Sequence, residues 1–122
     1  VLDYQDRRPI YEQVTDKFQI LILNGVLPPG SQMPSVRQLA TELSVNPNTI
    51  QRAYMELEKL GLIYPVKGRG NFVADSSQVQ KINRESYRKE FTALIQKGRN
   101  TGFNREELEK MFAEIFEKED ES

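Results

Sequence analysis

Between Pro9 and Leu60 apolar residues return every three or four positions in successive runs, separated by Gly, Pro, Asn and Ser. This is the period of helices packed on a common core. The first run is Ile10, Val14, Phe18, Leu21 and Ile22. It follows Pro9, which suits a first helical position because its missing N–H is not needed there. Asn24-Gly25 stops this helix, and Pro28-Pro29-Gly30 forces a turn and an extended stretch. Ser35 is the natural N-cap of a second helix whose buried face is Val36, Leu39, Ala40 and Leu43. Only Ser44-Val45 intervenes before Asn46, the next N-cap, with Pro47 in the first turn. The third helix runs to Gly61 with a core stripe of Ile50, Ala53, Tyr54, Leu57 and Leu60. Two short helices joined by so tight a turn predict a helix-turn-helix.

After Gly61 the period changes. Leu62 to Val66, then Lys67-Gly68-Arg69-Gly70, then Asn71-Phe72-Val73 reads as strand, glycine-rich turn and strand. Pro65 removes a ladder donor, so that strand lies at an edge. From Asp75 the pattern is helical again. Val79, Ile82, Ser86, Tyr87, Phe91, Leu94 and Ile95 mark a helix ending around Gly98. Asn104, with Glu107 three residues on, opens a last helix through a capping box. Its stripe is Leu108, Met111, Phe112, Ile115 and Phe116, and a frayed end is expected from Lys118 to Ser122. The expected fold is mainly α with a small β-hairpin wing. A winged helix-turn-helix domain over residues 1–75 is followed by a two-helix C-terminal dimerisation arm over residues 76–122.

Composition narrows the chemistry. The 122 residues are 38% hydrophobic and 29% charged, ordinary values for a globular chain. No apolar run approaches the roughly 18 residues of a membrane span, and no basic, apolar, small-residue leader opens the sequence. Cysteine is absent, which excludes disulfides and thiolate metal sites and fits a reducing cytoplasm, the expected location. Histidine is absent too, so imidazole general bases, Ser–His or Cys–His pairs and imidazole-held metals are ruled out. The expectation is a protein without catalysis, metal or cofactor. Net charge is −1, but residues 30–74 carry five basic side chains against three acidic ones. Phosphate binding needs cations on one face, not a basic whole chain.

The third helix supplies that face. Opposite its core stripe lie Asn48, Arg52, Met55 and Lys59, flanked by Thr49 and Gln51. Recognition helices touch base edges through their N-terminal residues, so Asn48, Thr49, Gln51 and Arg52 are the candidates, with Asn46 at the N-cap beside them. Arg52 can bond a guanine bidentately, Asn48 or Gln51 an adenine, and the Thr49 methyl can touch a thymine. The bland alternative is a solvated polar face. Arg37 stands in the first turn of the second helix, where a cation opposes the helix dipole. That position calls for an outside partner, either DNA or an acid such as Glu12, Asp16 or Glu42. Ser35 caps its helix, and the free N–H groups there suit a phosphate. Lys67, Gly68, Arg69 and Gly70 put two cations on a hairpin tip, fit for a wing against backbone or minor groove, or else for a solubilising edge.

Several of these segments together resemble the GntR family of regulators. They are Pro9-Ile10-Tyr11-Glu12-Gln13, Gly25-x-Leu27-x-Pro29-Gly30, Met33 to Ala40, Asn46-Pro47-Asn48-Thr49-Ile50, Ala53-Tyr54-x-x-Leu57-Glu58 and Gly68-x-Gly70-x-Phe72-Val73. Asn-Pro-Asn-Thr and Ala-Tyr resemble its short YtrA-type branch and the DNA-binding end of the MocR-type branch, whose aminotransferase-like domain has no room here. The resemblance implies DNA contact through Ser35 and Arg37, through Asn48, Thr49 and Arg52, and through the Gly68–Gly70 wing. It also implies a repressor, often of neighbouring transporter genes, whose two-helix tail serves as a dimerisation arm. Met33 departs from the usual leucine and Asn24 from the usual serine, neither on the expected DNA face.

The stripe Leu108, Met111, Phe112, Ile115 and Phe116, with Phe91 and Leu94 of the preceding helix, is too apolar to face water. It packs on its own domain or on the same stripe of a second chain. A two-fold homodimer is the expectation, because such dimers are the commonest oligomers. Double-stranded operator DNA with two half-sites about 34 Å apart would then be its partner. Two other functions remain open from sequence: a winged helix used for protein–protein contact, and a sensor gated by a small organic effector.

Overall fold

The computed structural model describes Asp3 and residues 5–120. Five helices and one hairpin follow in the order α1 (Ile10–Leu23), α2 (Val36–Leu43), α3 (Pro47–Lys59), β1 (Ile63–Val66), β2 (Gly70–Val73), α4 (Ser77–Thr101) and α5 (Arg105–Asp120). The fold is mainly helical with a two-stranded wing, as the residue pattern predicts. The chain divides into two compact units, Val1–Lys81 and Ile82–Ser122. The division falls inside α4 because the first turn of that helix belongs to the first unit. There Val79 packs against the core, and Gln80 Nε2 donates to the Leu23 carbonyl at 3.0 Å.

Local chemistry sets most of the boundaries in the first unit. Pro9 takes the N-cap of α1, one position earlier than its sequence suggested, and Asn24 with Gly25 closes the helix. Ser35 caps α2 by accepting from the Gln38 N–H at 3.0 Å. Asn46 Oδ1 accepts from the Asn48 N–H at 2.8 Å, with Pro47 at the first helical position of α3. Between α2 and α3 the chain turns on Ser44, the one described non-glycine residue with positive φ (56°). An L-residue there carries a left-handed penalty of about 1–2 kcal/mol, which glycine escapes at some entropic cost in the unfolded chain. Ser44→Gly is therefore expected to raise the unfolding free energy by about 0.5–1 kcal/mol, read from the urea midpoint. A lower midpoint would show that the serine side chain repays its strain.

Leu60 departs from the expected core stripe and is exposed. Helix α3 ends one residue before it. A Schellman turn on Gly61 (φ 78°) carries the Gly61 N–H to the Glu58 carbonyl and the Leu62 N–H to the Leu57 carbonyl, both at 3.0 Å. The reversal rotates Leu60 outward and seats Leu62 in the core instead. That core gathers Val14, Ile22, Met33, Leu39, Ala40, Ile50, Ala53, Tyr54, Leu57, Leu62, Ile63 and Val73. Phe18 meets Tyr54 edge-on with ring centroids 6.0 Å apart. Burial, with a smaller effect of Glu42, pushes the Tyr54 hydroxyl above the ordinary phenol range, so it stays a donor and gives its hydrogen to the Pro34 carbonyl at 2.7 Å. This bond ties α3 to the residue preceding the α2 cap.

In the wing, β1 and β2 pair antiparallel, with Ile63 opposite Val73 and Val66 opposite Gly70. The outer side of β2 takes the extended stretch after Gly30. The Met33 N–H donates to the Asn71 carbonyl and the Val73 N–H to the Ser31 carbonyl, each at 2.8 Å. Thus β1, which carries Pro65, is an edge strand, where the missing N–H costs nothing.

The second unit holds the rest of α4 together with α5. Helix α4 does not end at Gly98 but runs on to Thr101. Gly98 stands where the two helices approach closely, a Cβ there meeting Leu108 Cδ2 at 3.3 Å. The stop falls to Gly102 (φ 107°), whose Schellman turn sends the Phe103 N–H to the Gly98 carbonyl at 3.0 Å. Asn104 and Glu107 then exchange the two bonds of a capping box, at 3.1 and 2.9 Å. Helix α5 continues through Asp120, past the expected onset of fraying at Lys118. Residues 121 and 122 of that expected end lie outside the described residues. Among the described residues no helix is long and apolar enough to cross a membrane.

Candidate nucleic-acid interface

All the residues expected to meet DNA lie in the first unit and on its surface. Ser35, Arg37, Asn46, Asn48, Gln51 and Arg52 are exposed and Thr49 is half-buried. They occupy the N-cap and first turn of α2 and the N-cap and first two turns of α3, whose packing is fixed by the Ser44 turn and the Tyr54–Pro34 bond. At the start of α2 Ser35 caps the Gln38 N–H and leaves the first two N–H groups of the helix to an anion, whereas at α3 Pro47 has no N–H and those of Asn48 and Thr49 are taken by Asn46.

Arg37 has no ion pair among the described residues, and each acid within the sequence-based alternative is otherwise engaged. Glu12 accepts from the Tyr11 hydroxyl at 3.3 Å, Glu42 accepts from Gln38 Nε2 at 3.3 Å, and Asp16 is paired with Arg8. An unpaired cation in the first turn of a helix opposes the dipole without local compensation. Its charge is available to an external anion.

Arg52 is placed differently from a free solvated arginine. Its guanidinium carbon lies 3.8 Å from the centroid of the Tyr11 ring, and Nη2 donates to the Tyr11 hydroxyl at 3.3 Å. The contact joins α3 to α1 across 41 positions of sequence. Sequence reasoning missed Tyr11, because nothing local to it signals a partner so far along the chain.

The wing tip is a tight turn. The Arg69 N–H reaches the Val66 carbonyl at 2.9 Å, and Gly68 at the third position has φ 79°, a value that turns of this kind reserve for glycine. Lys67, Gly68, Arg69 and Gly70 are all exposed, and Lys67 and Arg69 make no ion pair among the described residues. Gln32, also missed from sequence, braces the tip by donating from Nε2 to the Arg69 carbonyl at 2.8 Å. Tyr64 and Phe72 stack across the hairpin at 6.1 Å, an ordinary cross-strand aromatic pair.

The residues expected at a dimer contact lie in the second unit. Leu94, Phe112, Ile115 and Phe116 expose 66, 57, 63 and 56% of their surface, Phe91 and Met111 are exposed as well, and Leu108 is half-buried. Phe91, Leu94, Leu108, Met111, Phe112 and Ile115 line an open groove of about 1070 Å³ between α4 and α5. Phe116 flanks it, with its ring 4.8 Å from that of Phe112.

A helix-turn-helix with outward polar residues on its second helix, followed by a cationic hairpin, defines a winged-helix DNA-binding protein. Residues 10–73 match the model of the bacterial regulatory proteins of the gntR family. The chain belongs to the GntR family, whose members are DNA-binding transcription regulators and not enzymes. It is similar to the HTH-type transcriptional repressor YtrA of Bacillus subtilis (strain 168), with 34% identity over 93% of this chain and 89% of that protein. A GntR family transcriptional regulator from Listeria monocytogenes superposes with a TM-score of 0.72 at 33% identity, covering 93% of this chain and 98% of that one. The DNA-binding domain of AraR, solved in complex with operator ORR3, superposes with a TM-score of 0.54 at 32% identity over 61% of this chain and 89% of that one.

Proposed function

We propose that this regulator is a repressor, acting in the cytoplasm, that binds an inverted-repeat operator as a homodimer. The observation that carries the DNA side is the exposed start of α3 beside an Arg37 that no acid neutralises. Within that reading Asn48, Gln51 and Arg52 read base edges and the Thr49 methyl meets a base. Ser35, Arg37 and Asn46 hold phosphate, and the wing from Lys67 to Gly70 lies along the backbone or minor groove. AraR bound to its operator supports the mode of docking, and the name of the YtrA relative supports repression.

The dimer rests on the second unit. Its apolar face leaves several large side chains more than half exposed, a surface that water does not tolerate in isolation. A second copy offers the same face, and a two-fold contact matches like with like. The unit has few residues with which to bury that face alone.

Selection of binding sites from a random duplex library at about 0.1–0.15 M salt tests the whole reading, since affinity depends on salt. The expected result is an enriched inverted repeat with one fixed half-site spacing. Affinity without enrichment would reject base reading, and enrichment of a single half-site would reject the two-fold dimer.

A further inference from the structure

We propose that Tyr11, on α1, is a positioning residue for operator reading, holding Arg52 of the recognition helix in the conformation that meets DNA. The inference rests on the reading that Arg52 contacts the operator. The geometry is specific. The Tyr11 hydroxyl donates to Glu12 Oε1 at 3.3 Å and so turns its lone pairs toward Arg52 Nη2, also at 3.3 Å. The ring meanwhile lies under the guanidinium at 3.8 Å. The side chain is thus fixed from one face and one corner.

This arrangement leaves the reading edge free. The Tyr11 ring and hydroxyl engage one side of the guanidinium, whereas a guanine is recognised by its in-plane N–H groups, of which only one on Nη2 is taken by Tyr11. One of the five N–H donors goes to Tyr11, and the others remain in a fork that a base edge can accept. No carboxylate forms an ion pair with Arg52 among the described residues, so its charge is not cancelled. A direct pair with Glu12 would hold the side chain equally well but would spend that charge. Interposing the tyrosine hydroxyl separates the two functions.

The expected gain is preorganisation. A free arginine loses much rotamer freedom when a base fixes it, and a side chain already ordered against α1 loses less. The contact also carries information between elements, because any tilt of α1 against α3 displaces the guanidinium edge.

The test is a double-mutant cycle on the full chain, with affinity measured by fluorescence anisotropy. The two probes are the selected operator and a version changed at the base pair whose preference Arg52→Ala relaxes. Tyr11→Leu is expected to weaken operator binding about 3- to 10-fold, from loss of the stack and the hydrogen bond together. It should also narrow the ratio between the two probes, a change that general loosening of the fold would not produce. In the Arg52→Ala background the same substitution should change neither. Tyr11→Phe keeps the ring and removes the acceptor, so it should fall between wild type and Tyr11→Leu, and it carries the test if Tyr11→Leu lowers the unfolding midpoint. Equal effects of Tyr11→Leu with and without Arg52 would overturn the proposal, since Tyr11 would then act alone. An Arg52-dependent site indifferent to both Tyr11 variants would overturn it while leaving base reading by Arg52 intact. Indifference to Arg52→Ala itself would remove the reading on which the inference rests.

Discussion

Replacing Phe112 and Ile115 together by glutamate is expected to leave the chain monomeric at micromolar concentration and to weaken operator binding by about two to four orders of magnitude. Both side chains are more than half exposed in the single chain, so their loss costs little within it, and glutamate is a good helix former. Across a two-fold interface the same changes bring four carboxylates into an apolar contact, where charge is expensive to desolvate. Affinity falls because a dimer engages the second half-site intramolecularly, whereas a monomer must bind each half-site separately. Sedimentation velocity without DNA reads the first part, and titration of full and half operators reads the second. Half-site affinity should be nearly unchanged, since the winged helix is a separate compact unit. A doubly charged variant that still sediments as a dimer would move the interface elsewhere.

Arg52→Ala is expected to weaken the operator by about 1–3 kcal/mol, roughly 5- to 150-fold, and to relax base preference at one position in each half-site. Arg52→Lys should recover part of the affinity and little of the preference, because a point charge replaces a planar fork. Losing the stack on Tyr11 should itself lower stability by about 0.5–1 kcal/mol, the worth of an exposed cation–π contact. A scan of operators differing at single base pairs distinguishes these cases. Uniform weakening across all positions would make Arg52 a phosphate contact, and no weakening would return the face of α3 to a solvated surface or a protein-docking one.

The two variants act in different units and on different steps. One should remove the coupling between half-sites and leave base preference intact. The other should do the reverse. At a half-site the combined variant should therefore bind as Arg52→Ala alone does.

Much of the first unit could be read directly from residue order, because its signals are local. Ser35 and Asn46 cap helices by bonds to N–H groups two or three residues away. In the second unit Asn104 and Glu107 exchange theirs across the same short distance. The strand–turn–strand pattern around Gly68 and Gly70 likewise depends on neighbours alone. Where two glycines competed, residue order misled. Gly98 looks like a helix stop but serves close packing against Leu108, and the stop lies at Gly102. Leu60 had the correct period for the core, yet the Gly61 turn ended the helix before it could point inward.

Residue order sets the succession of helices and strands, the Ser35, Asn46 and Asn104 caps, the polar face of α3 and the apolar stripe of α5. Each is a matter of period and short-range hydrogen bonding, which neighbouring residues settle among themselves. Packing of whole elements set the contact of Arg52 with Tyr11 and the bracing of the wing tip by Gln32. The two contacts join residues 41 and 37 positions apart. Their existence depends on how whole elements pack, because only burial of the shared core brings such distant side chains within reach of one another.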